Sequence, residues 1–314
     1  MDGVLVVDKP AGMTSHDVVA VVRRALRQAR RAAGAKGKVK VKVGHAGTLD
    51  PDATGVLVLT VGRATRLTPF LQACHKTYAA RMRLGVETST LDAGGEVVRE
   101  RDASAVDEEA LCEALKAFLG DIEQVPPMVS AVKVGGERLY AKARRGEEVE
   151  RQARRVTIHD LVLESFDPGA RPEASFLVTC SAGTYVRTLA ADVGARLGVG
   201  AHLVALRRLA SGRLALDQAR PLDDVIALVE GGRLADALIS PAEAVADRPV
   251  VVLDDATRTA LSHGRPLEAT GHDGPVAALA ADGTLVAMVE DRGGKAKPLA
   301  VLAPASANAE AADG

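Results

Sequence analysis

The sequence predicts an α+β protein, a large mixed body followed by a small, mostly β module at the C-terminal end. The run Gly55 to Val61 is apolar, β-branched and free of charge, the pattern of a strand covered on both faces, and Lys76 to Gly85 alternates with a period of two. Amphipathic stripes at helical spacing lie among such strands, first Val18, Val19, Val22 and Leu26, then Leu111, Leu115, Phe118 and Leu119. The charge balance also divides the chain. Residues 1–216 hold 32 Lys and Arg against 25 Asp and Glu, whereas residues 217–314 hold 8 against 16. We therefore expect a body over residues 1–240, a module over 241–303 and a disordered, Ala-rich tail over 304–314.

Taken in order, Gly3 to Val7 reads as a strand, and the turn Asp8-Lys9-Pro10-Ala11-Gly12 leads to a helix beginning near His16, with Thr14 or Ser15 as its cap. Arg63 to Leu71 fits a short helix. Gly85 to Val97 is a Gly-rich turn between strands, and Asp107 to Gly120 a helix with Gly120 as C-cap. Val156 to Phe166 and Ala174 to Cys180 read as strands, the second leading into a turn and a helix capped by Thr184. Helices with acidic faces begin near Leu222. The module's strands are Pro249 to Leu253, Pro275 to Glu290 folded over an Asp282-Gly283 turn, and Pro298 to Leu302.

Composition excludes several classes. Hydrophobic residues are 47% and charged ones 26% of 314, a soluble balance, and no apolar run approaches the ~20 residues of a membrane span. The opening MDGVLVVDKP carries acid where a signal peptide carries positive charge, so the expected compartment is the cytosol. Cys74, Cys112 and Cys180 form no CxxC pair and read as reduced thiols. There is no Walker loop, HExxH or GxSxG elbow.

Chemistry concentrates in Val43 to Val61, VGHAGTLDPDATGVLVLTV. Asp50 sits on a glycine-rich loop at the mouth of the apolar strand, where a carboxylate needs water or a cation. It is either an Asx turn before Pro51 or a carboxylate held on a rigid element for catalysis. Arg187 falls in the first turn of its predicted helix, against the macrodipole, and calls for a carboxylate partner. Tyr78, in a chain with only three tyrosines, is either core packing under a sheet or a site residue. From Arg23 to Lys42 there are nine cations and no acid, including Lys36, Lys38, Lys40 and Lys42. A solvated face is the plain explanation; phosphate contact by a flexible basic extension is the better one.

GHAGTLDPDATGVL resembles the signature of the TruB-type tRNA pseudouridine synthases, G-H-x-G-x-L-D-P-x-A-x-G-x-L, at every specified position. VDKPAGMTS, the K-x-Y at Lys76 to Tyr78, PPMVSAVK with the following GERLYAKARRGEEVER, CSAGTYVRTL and LGVGAHLVALRR resemble its further motifs in order, over roughly residues 3 to 216. One departure is Ser89, where the family has the first Asp of T-D-T-x-D; Asp92 keeps the second. The resemblance implies a pseudouridine synthase fold, a mixed, largely antiparallel sheet flanked by helices, with a PUA-like module. It implies Asp50 as nucleophile, Arg187 as its partner keeping it ionised, and Tyr78 stacking on the base and assisting at the C5 proton. It further implies His45 filling the space the flipped base vacates, and Tyr185 and Leu206 walling the pocket. His202 is expected to be a structural hydrogen-bonder. The substrate implied is a uridine in the T-stem-loop of tRNA at position 55, with attack at C1′ or C6. Turning uridine into its C-glycoside moves no atoms in or out, so no cofactor or metal is expected, nor an obligatory protein partner; a monomer is. The alternatives are the catalytic subunit of an RNA-guided pseudouridylase and a non-catalytic RNA chaperone.

Overall fold

The computed structural model describes residues 2–37, 40–128, 133–134, 137–138, 145 and 149–302; the predicted tail and Lys38 lie outside them. The strand Thr54–Val61 organises the chain. It pairs antiparallel with Gly3–Lys9 along one edge and makes a short parallel contact, Arg207 to Thr54 and Arg208 to Gly55, with Ala201–Ser211 along the other. From there the sheet runs antiparallel through Lys76–Leu84, Glu173–Cys180, Arg154–Asp167 and Gly120–Gln124. With Val43–His45, Leu214–Ala215 and Arg220–Pro221 at its margins it has ten strands.

Both faces of the central strand are covered, which is why it carries no charge. The helix Ser15–Ala32 lays Val18, Val19, Val22 and Leu26 over Leu5, Val7, Leu57 and Leu59. Thr14 starts it with a capping box: its hydroxyl accepts from Asp17 N, and the Asp17 carboxylate accepts from Thr14 N. On the opposite face Val4, Val6, Val56 and Val58 pack with Ala64, Leu67 and Leu71 and with Ala277, Leu285, Met288 and Leu302 of the module. The module is a five-stranded sheet in the order Val250–Leu253, Val276–Ala280, Leu285–Asp291, Lys295–Val301, Leu267–Glu268. Its Asp282-Gly283 turn is present, Gly283 at φ 81° and the Asp282 carboxylate accepting from Thr284 N. Arg66 donates to Val301 O and Arg248 to Phe70 O, tying module to body through backbone carbonyls. No helix among the described residues is long and apolar enough to cross a membrane.

Three elements depart from expectation. The helix predicted over Asp107 to Gly120 is Glu108–Lys116; Leu111 and Leu115 are buried and Phe118 is half-buried. Beyond Lys116 the turns tighten to i→i+3 bonds, Phe118 N to Leu115 O and Leu119 N to Lys116 O. That change of period swings Leu119 outward, 45% exposed, and Gly120 at φ 87° opens a strand instead of capping a helix. Arg63 to Leu71 splits into a 3-10 turn, Gly62–Leu67, and a short α-helix, Thr68–Gln72. Asp255–Ser262 is a helix capped by Asp254; its single buried side chain, Leu261, leaves no periodic stripe to read.

Gly55 is required by its neighbour. It sits at φ 96°, and a Cβ there would meet Arg208 O at 2.2 Å and Arg208 N at 2.9 Å, backbone atoms that cannot swing away. Gly55→Ala should cost about 3–5 kcal/mol in urea denaturation; a loss within the ~0.5 kcal/mol of a surface change would contradict this packing.

Candidate active site

The loop bearing Asp50 is held at both shoulders. Ser15 Oγ accepts from Leu49 N at 2.8 Å and contacts Leu49 O at 3.1 Å. Lys9, fully buried, directs its ammonium at Pro10 O, Met13 O and Pro51 O at 2.8, 2.6 and 2.8 Å. Burial pulls this lysine down to about 8, while three carbonyls and the nearby Asp52 and Asp50 favour its charged form. Gly12 N adds a bond to Pro51 O at 3.0 Å.

The Asp50 carboxylate meets Arg187: Nε to Oδ2 is 2.9 Å, and Nη2 donates to Oδ1 at 3.3 Å. Nη1 donates to Asp92 Oδ2 and to Thr90 O, both at 3.1 Å. Arg187 is 3% exposed and lies in the first turn of the helix Val186–Arg196, where two carboxylates offset the unfavourable dipole. Leu91, at φ 63°, is the one non-glycine with positive φ among the described residues, and that conformation turns Thr90 O and Asp92 together onto the guanidinium.

The Asp50 side chain keeps 40% of its surface open, but opens into a cavity walled by protein. That enclosure raises its carboxyl above the ordinary aspartate value, outweighing the lowering by Arg187, and Asp92 adds to the rise. The arginine was expected to keep the carboxyl ionised by lowering its pKa. It moderates the rise without reversing it, because partial enclosure by the cavity outweighs the cation.

That cavity, about 500 Å³, gathers Asp50, Tyr78, Tyr185, Arg187 and Leu206. Tyr78 is buried on the strand Lys76–Leu84, opposite Arg208 in register, and burial pushes its phenol upward. Tyr185 begins the helix, clasped by the Gln124 amide, which accepts from Tyr185 N at 2.9 Å and donates to Tyr185 O at 3.1 Å. Thr184, expected as the cap, instead donates to Ser181 O, since Gln124 already serves the position. His45 is not in the cavity lining; it stands on Val43–His45 opposite Leu59, half-buried. Lys36, Lys40 and Lys42 are exposed on the connection beyond Ser15–Ala32. Lys40 and Lys42 line a separate cleft of about 440 Å³ with Arg30. His202 is structural, its Nδ1 2.9 Å from Val86 O.

Two site residues went unread in the sequence. Lys9 stands in the D-K-P motif and Arg208 ends L-R-R, yet neither pattern says that its cation is buried. Arg208 Nε donates to Val56 O at 2.6 Å, Nη2 to Gly47 O at 3.2 Å and Nη1 to Thr48 O at 3.5 Å.

The pattern of "TruB family pseudouridylate synthase (N terminal domain)" matches residues 30–186. A protein of Thermobifida fusca named tRNA pseudouridine synthase B is 47% identical over 96% of this chain and 99% of its own length. The chain belongs to the TruB family. Two further patterns match beyond residue 186, "tRNA pseudouridylate synthase B C-terminal domain" over 187–246 and "tRNA Pseudouridine synthase II, C terminal" over 249–303. A TruB-family protein of Symbiobacterium thermophilum with the same name is 52% identical over 84% of this chain and 82% of that one. Among solved structures, a chain in a Cbf5-Nop10-Gar1 complex superposes with TM-score 0.74 at 28% identity, covering 96% of this chain and 85% of that chain. A chain in an H/ACA RNP bound to a substrate RNA containing 2'-deoxyuridine gives 0.72 at 26%, covering 97% and 86%.

Replacing Arg187 tests the electrostatics apart from any activity. Asp50 holds its proton to higher pH in the folded than in the unfolded chain, so its contribution to stability falls as pH rises through that window. Arg187→Met removes the lowering cation, widening the window. We expect a loss of about 2 kcal/mol near neutral pH, below the about 3–5 for a fully buried pair because both carboxylates reach water. The loss should shrink toward pH 4 in urea denaturation; a pH-independent loss would refute the coupling.

Proposed function

We propose that this protein converts a uridine of the tRNA T loop, position 55, to pseudouridine, with Asp50 as the nucleophile. The observation that carries the reading is one carboxylate, partly open, held by a buried arginine at the wall of a cavity that Tyr78 also lines. The names of relatives 46–52% identical over most of the chain point to the same reaction on tRNA.

The chemistry follows from balance. The N1–C1′ bond breaks, a C5–C1′ bond forms, the C5 proton leaves and N1 gains one; substrate and product are isomers, so no net oxidant or energy source is consumed. The target uridine leaves its stack at a cost of a few kcal/mol and enters the cavity. Ionised Asp50, oriented by Arg187, bonds to C1′ as the N1–C1′ bond breaks and is released when C5–C1′ forms, or adds to C6 and is later eliminated, in either case as a carboxylate nucleophile. Tyr78 stacks on the uracil and assists at the C5 proton, while Tyr185 and Leu206 confine the detached base. His45, outside the lining, fits the task of occupying the space left in the RNA. The exposed cations from Arg24 to Lys42 supply phosphate contacts.

An RNA-guided role is the second reading, favoured by the likeness to chains of a Cbf5-Nop10-Gar1 complex and of an H/ACA RNP, at TM-scores of 0.74 and 0.72. Their 26–28% identity stands well below the 47% and 52% of the two proteins named for tRNA. Incubating the protein with bare tRNA transcript and mapping pseudouridine separates the two, since a guided subunit leaves the transcript unmodified. A chaperone without catalysis has no need of the Asp50–Arg187 pair.

Asp50→Asn should abolish product while tRNA affinity stays within about threefold, because the change removes a nucleophile and no phosphate contact. Turnover by the pure variant would take Asp50 out of the mechanism. Replacing Lys36, Lys40 and Lys42 with Gln should weaken binding and flatten the log–log salt dependence by about 0.7–0.9 per lost contact, with the saturated rate little changed. An unchanged slope would leave these lysines as a solvated face.

A further inference from the structure

Arg208 is 1% exposed and belongs to the walls of the Asp50 cavity. Its neighbour Arg207 ion-pairs with Asp8 at 2.7 Å, whereas Arg208 directs donors at backbone carbonyls and also stands beside the Tyr78 phenol, opposing the rise that burial gives it. Those carbonyls are not scattered. Gly47 O and Thr48 O lie just before Asp50, and Val56 O lies just after the loop re-enters the sheet. One planar fork therefore closes the neck of the loop that carries the carboxylate, with one nitrogen on the far shoulder and two facing the near one. The backbone repeats the message. Arg208 pairs with Gly55 on the central strand and with Tyr78 on the other side, so it stands between the strand that follows the loop and the strand bearing the tyrosine. Gly47 sits at φ 110°, a backbone conformation that L side chains rarely adopt, so the carbonyl that Nη2 reaches is presented by a turn suited to glycine.

We propose that Arg208 is a positioning residue for Asp50, its guanidinium fixing the 47–56 loop so that the carboxylate faces the bound nucleoside. The proposal rests on Asp50 being the nucleophile. A lysine keeps the charge but has no fork to span Gly47, Thr48 and Val56 together, so Arg208→Lys isolates geometry from charge. Arg208→Gln, which buries no charge, is run beside it in case the ammonium is not tolerated.

The test uses full-length protein and a tRNA transcript whose target uridine carries protium or deuterium at C5. Hydrogen exchange is followed on the same variants. The single-turnover rate at saturating tRNA should fall about 10- to 100-fold, the cost of a misplaced reacting group, with tRNA affinity within about threefold. The C5 deuterium effect should be no larger than in the wild type, since bond formation by Asp50 slows before the proton step. Amides of residues 47–56 should exchange faster while the remaining sheet keeps its protection. A rate within twofold of wild type, a loss of rate matched by a loss of binding, or faster exchange throughout the sheet would overturn the proposal. A larger deuterium effect would overturn it too, by moving Arg208 to the Tyr78 step. If the wild type forms no pseudouridine, the functional reading falls first and the proposal with it.

Discussion

A guanidinium cannot be taken out of water without acceptors, and much of this protein is arranged around meeting that demand twice. Arg187 obtains Asp50, Asp92 and the carbonyl of Thr90; Arg208 obtains the carbonyls of Gly47, Thr48 and Val56. The first set brings a carboxylate to the cavity wall and the second fixes the loop beneath it. Lys9 adds a third buried cation on Pro51 O. The loop on which the chemistry is proposed to run is thus held from below by charge and from the sides by Ser15 and Gly12. A catalytic carboxylate on so constrained a loop needs little reorganisation when substrate arrives.

The same architecture sets the electrostatic balance. Enclosure raises Asp50 and Arg187 opposes the rise, so the carboxylate sits between two influences of opposite sign. Asp92 belongs to this balance in a way a pairwise description misses: it shares the guanidinium, and its charge pushes Asp50 upward. The strained Leu91 turn keeps that third member in place.

The sheet was legible where period and composition agree. The uncharged run to Val61 and the alternation from Lys76 both became strands with the expected burial, because side-chain period and solvent exposure are coupled in a sheet. A loop acid and a helix-start arginine each called for an opposite charge, but only the family resemblance named Asp50 and Arg187 as partners. The end of Glu108–Lys116 was not legible, since a switch to tighter turns leaves no mark in hydrophobic spacing. Nor were the roles of Lys9, Gln124 and Arg208. Each serves backbone groups brought near by the tertiary fold, Lys9 on Pro51 O and Gln124 on Tyr185 far along the chain, and sequence pattern records side chains, not the carbonyls they will meet.

The strand that follows the Asp50 loop shares its covered face with Ala277, Leu285, Met288 and Leu302. A chain cut before the small sheet would keep Ala64, Leu67 and Leu71 over this face but lose the rest of its apolar cover, leaving part of a β-branched surface open to self-association. Loss of RNA binding in such a truncation would report an uncovered core as readily as a missing contact. Leu285 and Met288 share one packed cluster with the first and central strands, so a change of volume at either is felt beneath the Asp50 loop, far from any RNA contact.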